Sequence, residues 1–356
     1  LKSQRDETLE GIWQFSSYTV ALKKEGNVHK AYIVESTNPS WKAGQVKFIV
    51  NDPEDNNTAK VTFFMGDHSA RQIDTMTLLG NNEVVLGNSF IVMSREEPRQ
   101  ESSPEITRYV RLLSTKAPLF EKVSENTVLV RIPAFDHAFK KDIDAVIAKH
   151  LDTILKTENL IIDIRGNGGG SDVSYASLLP ILYTNPIRTV GMEYLSTELN
   201  NSRMLGFLQN PHFSEEEKQW AKDGYDILNQ HIGSYINIDE DVTVETFDKI
   251  EPLPKSIGVL VDSSNGSTAE QFLLAAKQSK KVKLFGQTTA GVLDISNMYQ
   301  TDSPSGTFTL YYSLTKSLRI PHMAIDGVGI QPDYYIDGEL PLYQWTSYTQ
   351  KILEGM

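Results

Sequence analysis

Ser267 stands where a predicted strand, a polar turn and a predicted helix meet, and this position suits a nucleophile. The apolar run Ile257–Val261 is typical of a buried strand, and apolar residues recur at helical spacing over 268–276. The first N–H groups of that helix and its positive dipole end would favour an anion beside the Ser267 hydroxyl. A structural role is the alternative, because Ser267 and Glu270 also fit the Ser-x-x-Glu capping box, in which the serine only bonds the N3 amide.

A second segment, 159–170, joins another apolar run to a loop made mostly of glycine. Leu160–Ile164 predicts a central strand that is covered on both faces. The loop that follows lacks side chains at Gly166, Gly168, Gly169 and Gly170. Such backbone can adopt positive φ and bring its N–H groups close to a ligand. The loop could therefore hold negative charge, either a phosphate on a ligand or an oxyanion that exists only while an acyl bond is broken.

The phosphate interpretation fits the motif spacing only in part. Gly166 and Gly168 match the first two glycines of Gly-x-Gly-x-x-Gly, but Ser171 occupies the third position. Glu193 stands near the acidic position that follows such a loop about twenty residues later. No Gly-Lys-Ser/Thr ending follows the loop. Nucleotide binding and a glycine turn without a ligand both stay as alternatives.

Four blocks, taken in order, resemble the carboxy-terminal processing (tail-specific) serine peptidases. They are Asp-x-Arg-Gly-Asn-x-Gly-Gly at 163–170, the strand, turn and Ser-x-x-Glu at 257–270, Gly-Gln-Thr-Thr-Ala-Gly at 286–291, and Gly-Val-Gly-Ile-Gln-Pro-Asp at 327–333. The resemblance covers roughly residues 105 to 340. It implies an α/β fold with a Clp protease/crotonase-like core of ββα units. It also implies a serine-type endopeptidase that acts on polypeptides and needs no cofactor.

The resemblance assigns roles to individual residues. Ser267 would be the nucleophile that forms the acyl-enzyme. The backbone N–H groups of Gly168, Gly169 and Thr268 would form the oxyanion hole. The best-known branch of the family has a lysine as general base directly after the Gly-x-x-x-x-Gly block, where this chain has Val292. A serine without a base is a poor nucleophile at neutral pH.

Three residues are candidates for the missing base or for its orientation. A tricorn-type branch uses a histidine on the first core strand, where this chain has Arg131, and a carboxylate at or next to Asp326. His137 follows that strand, and histidine has an intrinsic pKa near neutrality. Lys316 follows another predicted strand and could act if burial lowered its pKa. Each also has an ordinary role, as a surface or capping histidine, a solvated lysine or a turn aspartate. A catalytically silent peptide-binding relative is therefore the alternative function.

Composition excludes several classes of protein. A formal net charge of -12 and a pI of about 5.1 argue against nucleic acid or an anionic membrane as partner. The absence of cysteine excludes disulfides, thiolate metal sites and a cysteine nucleophile. The histidines are scattered without a zinc pattern, and no apolar run is long enough to span a bilayer.

A chain of 356 residues exceeds one core, so two domains are expected. Residues 1–100 contain short β-type runs between turn clusters, which predict a small antiparallel β-barrel or sandwich. Arg95–Pro104 is the predicted linker, and 101–345 is the predicted catalytic domain. A helical insertion at 195–235 would cover the core or act as a lid.

The start of the sequence, Leu1-Lys-Ser-Gln, is not a signal peptide. The resembled family usually acts outside the cytoplasm. We therefore expect an extracytoplasmic protein whose export sequence has been removed. The sequence leaves the oligomeric state open, and a homo-oligomer is one alternative.

Overall fold

The computed structural model describes residues 9–51, 59–87, 91–210 and 214–355, which form two compact units. The first unit comprises Leu1–Lys116 and Gly338–Tyr348, and the second comprises Ala117–Asp337 and Thr349–Met356. The predicted β domain and helical insertion are described except for residues 1–8, 52–58, 88–90 and 211–213. None of the described helices combines the length and the apolar character that crossing a bilayer requires.

The first unit is built on one antiparallel sheet. Within its described residues, nine strands pair in the order β6-β5-β4-β3-β2-β1-β9-β8-β7. The strands are β1 Gly11–Phe15, β2 Tyr18–Glu25, β3 Val28–Ser36, β4 Val46–Asn51, β5 Lys60–Phe64, β6 Ala70–Ile73, β7 Met76–Leu79, β8 Glu83–Leu86 and β9 Ile91–Glu97. The predicted small antiparallel β domain is confirmed.

One apolar core explains why this sheet curls like a barrel. The core includes Trp13 in β1 and Phe48 in β4, both fully buried. It also receives Val61 from β5 and Leu86 from β8, which lie toward opposite ends of the sheet. Strands near both ends can contribute to one core only if the sheet wraps around it.

A helix, α1 (Pro104–Ser114), belongs to this unit although the sequence predicts the domain boundary near residue 100. The Ser103 side chain caps its first turn, and Ile106 and Tyr109 form a small core with Leu79. The predicted linker also begins too early. Arg95 lies in β9 and is buried, with its guanidinium stacked over the Trp13 ring at 4.3 Å.

The second unit has a mostly parallel sheet in the order β10-β11-β12-β17-β18-β21. Its strands are β10 Leu119–Lys122, β11 Thr127–Arg131, β12 Asn159–Asp163, β17 Ser256–Val261, β18 Val282–Gly286 and β21 Tyr334–Tyr335. Only β10 runs antiparallel to its neighbour among these. Helices α2 (Lys140–Ile154) and α6 (Thr268–Ala276) follow β11 and β17. This α/β core matches the predicted fold class.

The register of β12 and β17 brings the two predicted functional segments together. The strands are parallel neighbours, with Asp163 opposite Leu260 near their carboxyl ends. The carboxyl ends of parallel strands lie at one edge of a sheet. The glycine loop after β12 and the Ser267 turn after β17 therefore leave the sheet side by side.

The remaining elements of the second unit form smaller layers. They are α3 Leu179–Leu182, β13 Ile187–Val190, β14 Met192–Leu195, α4 Glu198–Leu208, α5 Glu215–Asn229, β15 Tyr235–Ile236, β16 Val242–Glu245, β19 Ile295–Asp302, β20 Thr309–Ser317 and α7 Trp345–Leu353, the last of which begins in the first unit's segment. The insertion consists of α4 and α5, which pack around Met204, Ala221 and Leu228.

Lys47, in β4, places a buried ammonium in the core of the first unit. Its Nζ lies 4.3 Å from the Tyr18 ring centroid and 4.1 Å from the Trp41 ring centroid. It donates a hydrogen bond of 2.6 Å to the carbonyl oxygen of Phe64. Burial lowers the pKa of Lys47 to about 8. Below about pH 8 the buried charge of Lys47 therefore lowers the free energy of unfolding. This destabilisation disappears as the pH rises towards 10.5, where the lysine is neutral in the folded and unfolded states alike.

We expect Lys47→Met to stabilise the first unit at pH 7 by on the order of 1–3 kcal/mol. The wild type should gain stability relative to this variant as the pH rises from about 8 to about 10.5. Thermal unfolding followed by circular dichroism across this pH range measures the difference. Lys42→Met, at an exposed lysine, is the control. Parallel pH curves for the wild type and Lys47→Met would contradict the expectation.

Candidate active site

Ser267 occupies a strained backbone position between β17 and α6. Its φ is 53° and its ψ is -125°, a conformation that a residue with a side chain adopts only at a cost. Its side chain makes no capping hydrogen bond, and Glu270 is turned to other partners. The capping-box alternative is therefore not realised. The half-buried Ser267 hydroxyl has no hydrogen-bond partner among the described residues.

A buried asparagine ties the Ser267 turn to the glycine loop. The side-chain amide of Asn265 donates to the carbonyl oxygen of Ile164 at 2.6 Å and to that of Asn167 at 3.0 Å. Its side-chain oxygen accepts the N–H of Asp262 at 2.8 Å. The Asp262 carboxylate in turn accepts the N–H of Gly166 at 2.9 Å. These bonds cross between the two segments, so neither can move without the other.

Gly169 allows the glycine loop to touch the serine turn. It has a φ of 108°, and a Cβ built on it would lie 2.7 Å from the Gly266 carbonyl oxygen. The same Cβ would lie 2.9 Å from both the Ser267 Cβ and the Thr268 nitrogen. Real Cβ atoms do not approach backbone atoms so closely. The loop backbone thus packs directly against the peptide unit that joins Ser267 to Thr268.

The hydrogen bonds within the loop leave only some of its N–H groups without an acceptor. The Gly169 N–H, which the sequence predicts as an oxyanion donor, instead donates to the side-chain oxygen of Asn167 at 2.9 Å. Asn167 is itself buried and donates to the carbonyl oxygen of Ile132 at 3.2 Å. Within the described part of the chain, the N–H groups of Gly168 and Thr268 have no acceptor. These N–H groups are among those that remain for a ligand.

Glu270 fixes the segment that follows β18. It is fully buried on α6, three residues after Ser267. Its carboxylate accepts the hydroxyl of Thr289 at 2.5 Å and the N–H of Gly291 at 2.8 Å. It also accepts the N–H of Val292 at 2.9 Å. The glutamate of Ser-x-x-Glu therefore ties the Gly-x-x-x-x-Gly block to the helix that begins beside Ser267.

Asp326 continues this attachment along the same segment. Its carboxylate accepts the N–H groups of Leu293 at 2.5 Å, Asp294 at 2.6 Å and Ile295 at 3.1 Å. Both Asp326 oxygens are occupied by backbone amides. A carboxylate so engaged positions a loop, and its free acceptor capacity for orienting a histidine is small. The sequence predicts Asp326 as a candidate partner of the base. In the structure its carboxylate binds three backbone amides instead.

The other two candidate bases lie in different surroundings. His137 is exposed in a short 3-10 helix, His137–Phe139, two residues after Phe135. Phe135 flanks the glycine loop, because its N–H donates to the Gly169 carbonyl oxygen at 3.0 Å. Lys316 lies in β20 and forms an ion pair with Glu193 at 2.9 Å. Among the described residues, no ion pair or hydrogen bond joins Lys316 to the serine turn or the glycine loop.

Asp172 is a site residue that the sequence reasoning missed. It directly follows the glycine loop and begins a 3-10 helix, Asp172–Leu178. The Thr268 hydroxyl, one residue from the candidate nucleophile, acts to lower the pKa of its carboxyl. Burial of the carboxyl raises the pKa of Asp172, against the opposing effects of Thr268 and Arg319. An acidic residue at the end of a glycine loop was the available signal.

The glycine loop and Ser267 turn lie within a stretch that matches a known family. A sequence model of Peptidase family S41 matches residues 126–336, which is more than half of the chain. The chain belongs to peptidase family S41. This assignment confirms the resemblance to the carboxy-terminal processing peptidases that the motifs indicate.

Individual relatives of this S41 chain are distant. An uncharacterized protein of Chlamydia muridarum (strain MoPn / Nigg) is 25% identical in an alignment of 268 residues that covers 64% of this chain and 44% of that protein. The chain therefore spans less than half the length of this curated relative. Mature CPAF is 14% identical, with a TM-score of 0.48, over 97% of this chain and 84% of that chain. The photosystem II D1 C-terminal processing protease is 11% identical, with a TM-score of 0.40, over 94% and 80%. The assignment rests on the family match and not on these weak likenesses.

This S41 member differs from the lysine-containing branch of the family at Val292. Its side chain is 54% exposed, yet its Cγ2 would lie 2.6 Å from a Cβ built on Gly266. The residue thus lies next to the backbone that leads into Ser267. An apolar side chain stands where the resemblance implies an amine.

The nucleotide alternative gains no support from the local geometry. The glycine loop leads into a 3-10 helix rather than an α-helix, and a dinucleotide site needs the N-terminus of an α-helix. Glu193, near the expected acidic position, is paired with Lys316.

Replacement of single glycines tests the contact between the loop and the serine turn. We expect Gly169→Ala to lower stability by more than about 2 kcal/mol, because it combines a positive φ with overpacking against backbone. Gly168→Ala is the matched control, since its nearest neighbour is the Ser264 carbonyl oxygen at 4.0 Å and its φ is not left-handed. Chemical denaturation measures both variants. Equal stability of the two would show that the close packing at Gly169 is wrong.

Proposed function

We propose that this chain is a serine-type endopeptidase that cleaves polypeptides through an acyl-enzyme on Ser267. One observation carries the proposal: an unbonded serine hydroxyl at a strained strand-to-helix turn, beside a glycine loop with an open N–H group. Membership of an S41 peptidase family supports the same chemistry. An extracytoplasmic location belongs to the proposal and can be tested by cell fractionation.

The proposed reaction uses the two open N–H groups. Ser267 Oγ attacks the scissile carbonyl carbon and gives its proton to a base. The N–H groups of Gly168 and Thr268 donate to the oxygen of the tetrahedral intermediate, and each such donor contributes about 3 kcal/mol in comparable sites. The base returns the proton to the leaving amine, and water then hydrolyses the acyl-enzyme. Gly169 acts through its small size and not through its N–H.

His137 is the base that the contacts favour. Lys316 is engaged by Glu193, and the carboxylate of Asp326 is engaged by three backbone amides. His137 is exposed and follows the segment that is hydrogen-bonded to the glycine loop. It makes no bond with Ser267 in this structure, and catalytic hydrogen bonds often tighten only when substrate is bound.

A peptide-binding protein without hydrolytic activity is the second candidate function. The observation that favours it is Val292, which replaces the implied lysine next to the serine turn. Such a protein would use the same open N–H groups to hold a peptide carbonyl or carboxylate.

The nucleophile can be tested by labelling and by mutation. We expect a fluorophosphonate probe to modify Ser267, as located by mass spectrometry of the labelled peptide. Ser267→Ala should abolish labelling and hydrolysis of unfolded protein, with a change in unfolding free energy below about 1 kcal/mol because the hydroxyl is not a cap. The exposed Ser263→Ala is the control and should keep both activities. Activity that survives in Ser267→Ala would assign the nucleophile elsewhere.

The base can be tested by the pH dependence of the rate. If His137 accepts the proton, kcat/KM should fall along an acidic limb of its pH profile, because protonation of the imidazole removes the base. His137→Ala should lower kcat by at least about 100-fold and remove this limb. A limb that persists in His137→Ala excludes this residue. No hydrolysis by the wild type, with hydrolysis gained in Val292→Lys, would favour the silent relative.

A further inference from the structure

The hairpin formed by β19 and β20 carries an apolar face that is exposed towards the tip of the hairpin. Residues directly opposite each other on paired strands share a face. Tyr299 lies opposite Tyr312, and their rings meet edge to face with centroids 6.2 Å apart. Side chains alternate between faces along a strand, so Leu310 and Leu314 share the face of Tyr312. Leu314 is buried at the base of the hairpin, whereas Leu310, nearer the tip, is 62% exposed.

The opposite face of the hairpin is mostly polar. Its members include Gln300, Asp302, Thr309 and Ser313, with Met298 and Tyr311 as apolar exceptions. An antiparallel sheet that is apolar on one face and polar on the other normally packs its apolar face on a core. Yet no residue of β19, and none at 309–313, is buried, and a two-stranded hairpin without such packing is at best marginally stable in water. The exposed part of the apolar face thus lacks the layer that its pattern requires.

The hairpin carries almost no charge. Its charged side chains are Asp302 and Lys316, and Lys316 forms an ion pair with Glu193. The whole chain has a formal net charge of -12, so two copies repel each other overall. This repulsion is weakest at a neutral segment, and the hairpin is such a segment. A second copy can therefore approach here.

The exposed apolar area is about what a small dimer interface needs. Ile295 lies opposite Lys316 and adds a partly exposed side chain to the apolar face. Phe308, at the tip, is 74% exposed. An aromatic side chain buries about 150–250 Å² when it is covered, so the face and the tip together offer on the order of 500 Å². Two copies would bury about 1,000 Å² in total, the lower bound for a specific interface.

We propose that this apolar face, made by Ile295, Tyr299, Leu310 and Tyr312, joins two copies of the chain in a symmetric dimer. Both copies use the same surface, which closes the assembly at two. A polypeptide substrate is the alternative occupant, but it would leave the face in water between turnovers. A second copy covers the face at all times, and exposed apolar patches of this size mark interaction sites. The dimer does not depend on hydrolysis, so its test needs no substrate.

Sedimentation velocity over about 1 to 100 μM tests the dimer. We expect the wild type to dimerise with a Kd of about 10 μM or below, because interfaces of modest size reach micromolar affinity. Leu310→Glu should raise this Kd at least about 10-fold, since the contact would bury a carboxylate. Gln300→Glu adds the same charge to the opposite, polar face of the hairpin. It is the matched control and should leave the Kd unchanged, and circular dichroism checks that both variants keep their fold.

Cross-linking tests the same face with Leu310 left in place. The chain has no cysteine, so a single introduced cysteine reports on one position. Thr301 lies opposite Leu310 on the apolar face. Packed sheets lie about 10 Å apart, so a bismaleimide of about that reach should join two copies of Thr301→Cys into a covalent dimer on a denaturing gel. Gln300→Cys, next along the strand but on the opposite face, is the control and should stay monomeric.

A wild type that stays monomeric at every concentration overturns the inference. So does a dimer whose Kd is unchanged in Leu310→Glu, equal cross-linking of Thr301→Cys and Gln300→Cys, or assembly beyond a dimer. A monomer that instead binds an extended apolar peptide, with the affinity lost in Leu310→Glu, would assign the face to polypeptide and overturn the dimer as well.

Discussion

The attachment of five consecutive backbone amides to two carboxylates is the constraint on which the site depends. The N–H groups of residues 291–295 are held by Glu270 on one side and by Asp326 on the other. Glu270 lies on the helix that Ser267 precedes, so the segment and the candidate nucleophile share one support. Buried carboxylates are costly unless hydrogen bonds satisfy their oxygens. Here the amides provide that satisfaction without a cation beside Glu270 or Asp326 in the described residues.

Asp294 lies within the segment 291–295, and its own carboxylate accepts the N–H of Asp326 in return. Burial acts to raise the pKa of its carboxyl, but hydrogen bonds from the Asp326 N–H and from Arg319 outweigh burial, and the pKa is lowered. It also accepts the N–H of Ile325, so the segments 291–295 and 325–326 hold each other reciprocally. This rigidity explains how a strained φ at Ser267 can persist. The Asn265 bonds and the close contact with Gly169 leave the turn no relaxed alternative nearby.

The elements that carry the site could be predicted because their signals are local. The apolar runs at 160–164 and 257–261 become β12 and β17, and helical spacing predicts α6. The ordered glycine and Ser-x-x-Glu blocks predict that the two segments meet. The boundary near residue 100 was less accurate, because α1 packs on the β unit through a small apolar face that a charged, proline-containing sequence conceals.

The roles of single atoms could not be predicted, because they depend on partners distant in the chain. A list of glycines does not reveal that Asn167 occupies the Gly169 N–H, nor that Asp326 binds amides 31 to 33 residues away. The same holds for the N–H groups that stay open. The Thr268 N–H begins a helix and the Gly168 N–H follows Asn167, yet only the folded chain shows that neither has an acceptor among the described residues. Local sequence therefore predicts where the two segments lie, and long-range hydrogen bonds decide which atoms are left to bind a ligand.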